Sequence, residues 1–181
     1  PDLVEDLILA LNQHGPDGPV WSLITSLVKS RRHAGAVDAM KSVISNQATP
    51  DSALERAVKV IGDCGTTSDL ECAVDALFSC NRFNERVATV VLQSLLQRST
   101  SVSHFKQVLG SGLAGSHSSA WFAEDLMEHH ASKQEAKALI LILKQASDGL
   151  ADKAASTATM ILAEAIEGFL KRDDVSNSDY E

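Results

Sequence analysis

Ala57-Val58-Lys59-Val60-Ile61-Gly62-Asp63-Cys64-Gly65, then Thr66-Thr67, then Ser68-Asp69-Leu70-Glu71-Cys72-Ala73-Val74-Asp75-Ala76-Leu77 is the stretch on which the fold turns. Leu54, Val58 and Ile61 recur at helical spacing before it closes on Gly65, and Leu70, Val74 and Leu77 do so after it. Apolar residues three and four apart share one face of a helix, so each half predicts an amphipathic helix. Ser68-x-x-Glu71 has the capping-box spacing, in which hydroxyl and carboxylate satisfy two helix-end donors reciprocally. The spacer is too short for anything but a turn. Two helices packed as a hairpin follow.

The same pattern continues in both directions. Leu3, Leu7 and Leu11 predict a helix that ends before Gly15-Pro16-Asp17-Gly18; Trp21, Ile24, Leu27 and Val28 mark a second; Val37, Met40 and Ile44 mark a third. Beyond the hairpin come Val87 to Leu96, Val102 to Leu109, Trp121 to Met127, a run at Leu139 to Leu143 that is apolar on every side and expected to be buried, and a long helix from about Leu150 to Leu170. Thr49-Pro50-Asp51 is expected to put proline at a first helical position behind a capping hydroxyl, and Ser132-x-x-Glu135 repeats the capping-box spacing. Gly65, Gly110, Gly112 and Gly115 fall between helices, and no segment alternates with period two. The fold class is all-α.

Taken alternately, the helices are spaced by roughly 33 residues, within the range of helical-repeat architectures. Fragments of self-similarity agree: Ala36-Val37-Asp38-Ala39-Met40 echoes Ala73-Val74-Asp75-Ala76-Leu77, and Glu55-Arg56-Ala57-Val58 echoes Glu85-Arg86-Val87-Ala88. The hairpin from Ala57 to Leu77 resembles a HEAT repeat, with small and aliphatic residues leading to a glycine and an Ala-x-x-x-Leu face following the turn. Glu85 to Phe105 is similar but has Arg98-Ser99-Thr100-Ser101 in place of the glycine, and Ser118 to Leu143 is looser. The resemblance implies an α-solenoid of about five antiparallel helix pairs over residues 1–171, capped at both ends. The acidic segment 172–181 is read as a disordered tail.

Composition narrows the functional classes. With 24 acidic and 16 basic residues the formal charge is −8, and the basic residues are dispersed except at Lys29, Arg31 and Arg32. Nucleic-acid binding depends on concentrated positive charge that displaces counterions, so this balance argues against it. No run of residues is long and apolar enough for a membrane span. Cys64, Cys72 and Cys80 are odd in number and eight apart, a spacing that fits neither a disulfide framework nor a zinc site. They are expected to be buried, reduced thiols in an intracellular, cytoplasmic protein. The chain starts Pro1-Asp2-Leu3 without a methionine, as a processed or excised piece would.

Three constellations merit a functional reading. Asp125 and His129 lie one α-helical turn apart and would supply two metal ligands, whereas a helix-terminal pair of histidines (129 and 130) simply favours the helix dipole. Some HEAT-like proteins, similar to deoxyhypusine hydroxylase, hold metal with repeated His-Glu pairs, and no His-Glu dipeptide occurs here. Lys29, Arg31 and Arg32 either cap a helix or grip an acidic ligand. Trp21 and Trp121 either fill the core or anchor a peptide, since tryptophan is enriched at interface hot spots. No phosphate-cradling glycine loop, nucleophile elbow or His-Glu-x-x-His motif is present. The expectation is a cofactor-free, non-catalytic scaffold that binds a protein or peptide and that self-associates if its solenoid ends are exposed. A nucleic-acid-binding repeat and a helical-repeat enzyme or lyase are the alternatives, the last requiring convergent polar groups in a pocket.

Overall fold

The computed structural model describes residues 6, 9, 10, 19–31, 35–98, 101–114, 116–172, 174 and 175. Among them the chain is all-α: α1 Pro19–Arg31, α2 Gly35–Ser45, α3 Asp51–Cys64, α4 Thr67–Ser79, α5 Glu85–Arg98, α6 Val102–Gly110, α7 Ser116–Asp125 with a π-helical continuation Leu126–His130, α8 Lys133–Ser147 and α9 Asp152–Leu170. Each coincides with an apolar run that the sequence marks as helical. The helix expected from Leu3 to Leu11 lies outside the described residues except for Asp6, Leu9 and Ala10. No helix among the described residues is long and apolar enough to cross a membrane.

Where the sequence reads one domain over 1–171, contacts group the chain into two compact units, Pro1–Ser94 and Leu95–Glu181. In the first, Trp21, Met40, Ile44, Leu54, Ile61, Leu70 and Leu77 are fully buried. The α3–α4 hairpin closes as its sequence predicts, but the capping box sits two residues earlier. Thr66 is the N-cap, its hydroxyl accepts from the Asp69 N–H at 3.2 Å, and the Asp69 carboxylate accepts from the Thr66 N–H at 2.8 Å. Thr66-x-x-Asp69 and Ser68-x-x-Glu71 have the same spacing, and the helix begins at the earlier pair because Gly65 already ends α3. Pro50 is likewise the N-cap of α3 and not its first residue. Thr49 makes no cap, its hydroxyl donating instead to the Val43 carbonyl at 2.8 Å.

At the far end of α4, Asn81 takes a left-handed conformation (φ 52°). The Arg82 N–H then bonds the Leu77 carbonyl at 2.9 Å and the Asn81 N–H bonds that of Phe78 at 3.0 Å, a Schellman closure with asparagine in the glycine position. This turn aims Arg82 at the α2–α3 loop. Its guanidinium donates to the carbonyls of Gln47 (2.5 Å) and Thr49 and stands 3.6 Å from Asp51. One side chain thereby satisfies backbone acceptors that the loop leaves open.

The second unit fully buries Phe105, Leu109, Met127, Leu143 and Ile161. Its helices α7 and α9 approach closely where α9 carries Gly168: a Cβ there would lie 2.2 Å from the Glu124 carbonyl oxygen. The approach is held from α9's end. Lys171 donates to Glu124 at 2.5 Å and pairs with Glu167 at 2.9 Å. Arg172 donates to the carbonyls of Met127 (2.8 Å) and Ala131 (2.5 Å), gripped in turn by Asp174 at 2.7 and 3.0 Å. Arg172 and Asp174, assigned by sequence to the tail, are thus packed on the π turn; the remainder of that segment, apart from Val175, lies outside the described residues.

The run Leu139 to Leu143 is not buried on every side. Leu139 and Leu143 are, but Leu141 is 55 % exposed, because α8 is covered along one face only. The cysteines also depart from expectation. None is in a disulfide, yet Cys72 is exposed and Cys64 and Cys80 are half-buried, so none is a core thiol.

Candidate functional site

The sequence-derived candidates do not assemble into one site. Trp21 is 1 % exposed and belongs to the core of its unit, beside the buried Ile24 and Thr25. Trp121 is 65 % exposed, with His117 edge-on to its ring at 6.4 Å. The two tryptophans therefore do not share an environment, and only Trp121 offers an accessible indole. Lys29 and Arg31 lie on the last turn of α1, but their side chains and the whole of Arg32 lie outside the described residues.

The Asp125 and His129 pairing does not form. A π turn carries more residues per turn than an α-helix and bonds each N–H five residues back, as the Ala131 N–H does to the Leu126 carbonyl at 2.8 Å. The residue brought over Asp125 is then His130, whose Nε2 lies 3.5 Å from the carboxylate, while His129 faces Glu128 at 3.6 Å. No group of three or more potential metal ligands gathers anywhere among the described residues.

What the second unit does form is a groove of about 240 Å³, missed in the sequence because its walls come from three separate elements. The end of α5 supplies Leu96, Gln97 and Arg98, the π turn supplies Leu126 and His130, and α8 supplies Glu135, Ala138, Leu139 and Ile142. Residues 135, 138, 139 and 142 are one helical stripe, and Leu139 and Leu126 form the buried floor. Gln97, Arg98, His130 and Glu135 stand around the rim.

The rim residues differ in how they are held. Glu135 closes the Ser132 capping box, accepting from the Ser132 N–H at 2.8 Å, and the Ser132 hydroxyl and N–H hold its carboxyl below the usual carboxylate range. It stays ionised and stationary as a wall. His130 has a largely exposed side chain at the groove mouth, its Nε2 3.5 Å from the Asp125 carboxylate. Chemically the arrangement offers apolar cover for one medium-sized side chain and charged partners of both signs beside it. Ligand pockets for whole small molecules are usually larger and deeper, at roughly 300–1,000 Å³.

The clearest electrostatic perturbations lie away from the groove and are structural. Lys41 donates to Asp69 at 2.5 Å, and together with the Thr66 N–H and hydroxyl it holds the Asp69 carboxyl down to about 2. Glu124 raises the Lys171 ammonium, with Glu167 adding to the effect, and Lys171 lowers Glu124. These pairs lace helices together.

Comparison of the chain with protein-family models, with curated proteins and with solved structures found no match in any of the three.

Proposed function

We propose that this protein is a non-catalytic binding module, a HEAT-like helical repeat that takes a protein partner through an extended segment. The partner would lay an apolar side chain into the groove between α5, the π turn and α8. One observation carries the reading: the groove has an apolar floor the size of one side chain and a rim of Gln97, Arg98, His130 and Glu135 that can bond the flanking backbone and charges. Catalysis asks for polar groups converging on a reacting atom. Here Glu135 is committed to its cap and His130 is largely in water.

The repeat reading is supported by the helix starts. Those at 19, 51, 85, 116 and 152, and those at 35, 67, 102 and 133, advance by 31 to 36 residues, close to the period of roughly 33 in the sequence. Stacked pairs of this kind present long surfaces to partners without needing a cofactor. Thiols that form no disulfide, one of them exposed, suit a reducing, cytoplasmic setting.

The test uses Ala138→Arg, an exposed α8 position that lines the groove, so the substitution fills the cleft without entering the core. Immobilised wild-type and A138R chains are exposed to lysate with and without nuclease treatment, and captured proteins are quantified by mass spectrometry. A partner held by the wild type and lost by at least tenfold in A138R supports the reading. Equal capture by both places binding elsewhere and overturns it, and capture that disappears with nuclease treatment turns the argument to nucleic acid.

A further inference from the structure

A second cleft, in the first unit, has a different character. It measures about 150 Å³ and is lined by Ser22, Thr25 and Ser26 of α1 and by Arg56, Lys59 and Val60 of α3. At about 30 Å³ for a water molecule in the liquid, that is space for roughly five, enough for a tetrahedral oxyanion. Nothing in the sequence singles these residues out, because the two groups, 22–26 and 56–60, lie on separate helices.

The unusual feature is the cations. Every other half-buried arginine side chain described has partners: Arg82 has loop carbonyls and Asp51, and Arg172 has two carbonyls and Asp174. Arg56 is half-buried too, yet it makes no ion pair or hydrogen bond among the described residues, and neither does Lys59. Glu55 points about 100° round the helix from Arg56, and although Glu55 and Asp63 stand one turn before and after Lys59, no ion pair joins either to Lys59 or Arg56 among the described residues. Arg56 and Lys59 thus put two cations one turn apart on the cleft wall, neither tied into an ion pair among the described residues.

The hydroxyls sort by availability. Thr25 and Ser26 both donate to the Ser22 carbonyl, at 2.9 Å each, and present only lone pairs. The Ser22 hydroxyl makes no such bond among the described residues and can donate across the cleft. A guanidinium fork, an ammonium and one hydroxyl donor match the needs of a compact dianion, since arginine binds phosphate bidentately and lysine adds a mobile point charge. Two cations at one short, open cleft do not make the track that a nucleic-acid backbone requires.

We propose that Arg56, Lys59 and Ser22 form a binding site for a phosphate monoester or inorganic phosphate. The site is independent of the groove in the second unit, so either reading can fail alone. Charge-assisted hydrogen bonds of this kind make the loss of both cations worth a roughly ten- to hundredfold weakening.

The experiment compares the wild type with Arg56→Gln/Lys59→Gln by titration calorimetry and by melting, in inorganic phosphate and in chloride of matched ionic strength. A glycine-flanked phosphoserine peptide and its unphosphorylated twin form the second arm. Selective stabilisation of the wild type by phosphate, reduced at least tenfold in affinity in the double variant, is the expected result. Binding of the phosphopeptide assigns the source to a modified side chain, and binding of inorganic phosphate alone assigns it to the free ion. A response equal to that in chloride, or one that the double variant retains in full, overturns the proposal. Ser22→Ala, which touches neither cation, provides a second variant and is expected to weaken binding severalfold with unchanged melting in chloride.

Discussion

Replacing Gly168 by alanine sets two known effects against each other. In an ordinary helix interior the change stabilises by about 1 kcal/mol, because alanine has less backbone freedom to lose. At position 168 the new Cβ would stand 2.2 Å from the Glu124 carbonyl oxygen and 2.9 Å from that residue's carbonyl carbon and Cα. A carbon–oxygen contact is comfortable at about 3.3 Å, so α7 and α9 must separate by roughly 1 Å. Both partners here are helix backbone, which cannot rotate aside. A gap of 0.5–1 Å forfeits about a quarter to a half of each dispersion contact along the interface, and forced overpacking costs about 1–3 kcal/mol or more. Repulsion wins. The net expectation is a loss of about 2 kcal/mol, read as a fall in Tm of roughly 4–8 °C for a chain of this size. Gly62→Ala is the control, since its Cβ would meet the Ser94 hydroxyl oxygen at 2.7 Å, which can rotate away, and the Ser94 Cβ at 3.0 Å, a milder contact than that with the Glu124 backbone. Its cost should be smaller than that of Gly168→Ala and should fall further in a Ser94→Ala background, where the hydroxyl contact is gone and only the 3.0 Å contact to the Cβ of residue 94 remains. Urea titration followed by circular dichroism measures the wild type, the three single variants and the Gly62→Ala/Ser94→Ala double variant. A G168A chain at least as stable as the wild type would refute the close backbone approach.

Two further outcomes follow from the charged clasps. Arg172→Met keeps the aliphatic stem but leaves the Met127 and Ala131 carbonyls without their donor, costing about 1–3 kcal/mol, and hydrogen exchange should quicken over residues 126–131 while α3 and α4 are unchanged. Unchanged exchange over 126–131 would show that the π turn does not depend on Arg172. Asp69 has a folded-state pKa of about 2 against an ordinary 3.8, so its contribution is complete above pH 4 and fades as acid is added through that interval. Asp69→Ala should lower Tm at pH 7 and shrink the difference from wild type as pH falls from 4 toward 2; a difference that persists at pH 2 would count against the pairing with Lys41 and Thr66.

Helix identity was legible because it depends on neighbours in sequence. Leu54, Val58 and Ile61, like Leu70, Val74 and Leu77, mark their buried faces by spacing alone. Boundaries were less so, since Thr66 and Ser68 both head a capping-box spacing and only the end of α3 chooses between them. Burial of a given residue type was not legible at all: Trp21 and Trp121 are the same side chain on similar helices, one enclosed and one in water. Leu141 shows the same limit, for an apolar run names every face and tertiary cover selects one. The π turn has no compositional mark in Leu126-Met127-Glu128-His129-His130, so α-helical spacing points to His129 as the neighbour of Asp125 where His130 takes that place. Both clefts join elements distant in the chain, and side chains of little note alone acquire meaning only by being brought together.

The π turn also acts as a spacer. A helix that holds one residue more than its regular winding needs can be seen as an inserted shim, and removing it would rotate everything downstream by about 100°. In this chain the downstream group is the Ala131 carbonyl, which Arg172 reads from the end of α9 together with that of Met127. Shortening the segment by one residue would restore regular winding and at the same time turn one of the two acceptors away from the guanidinium. The irregularity therefore sets the phase between α7 and α8, and the last turn of α9 is cut to that phase as a key is to its lock.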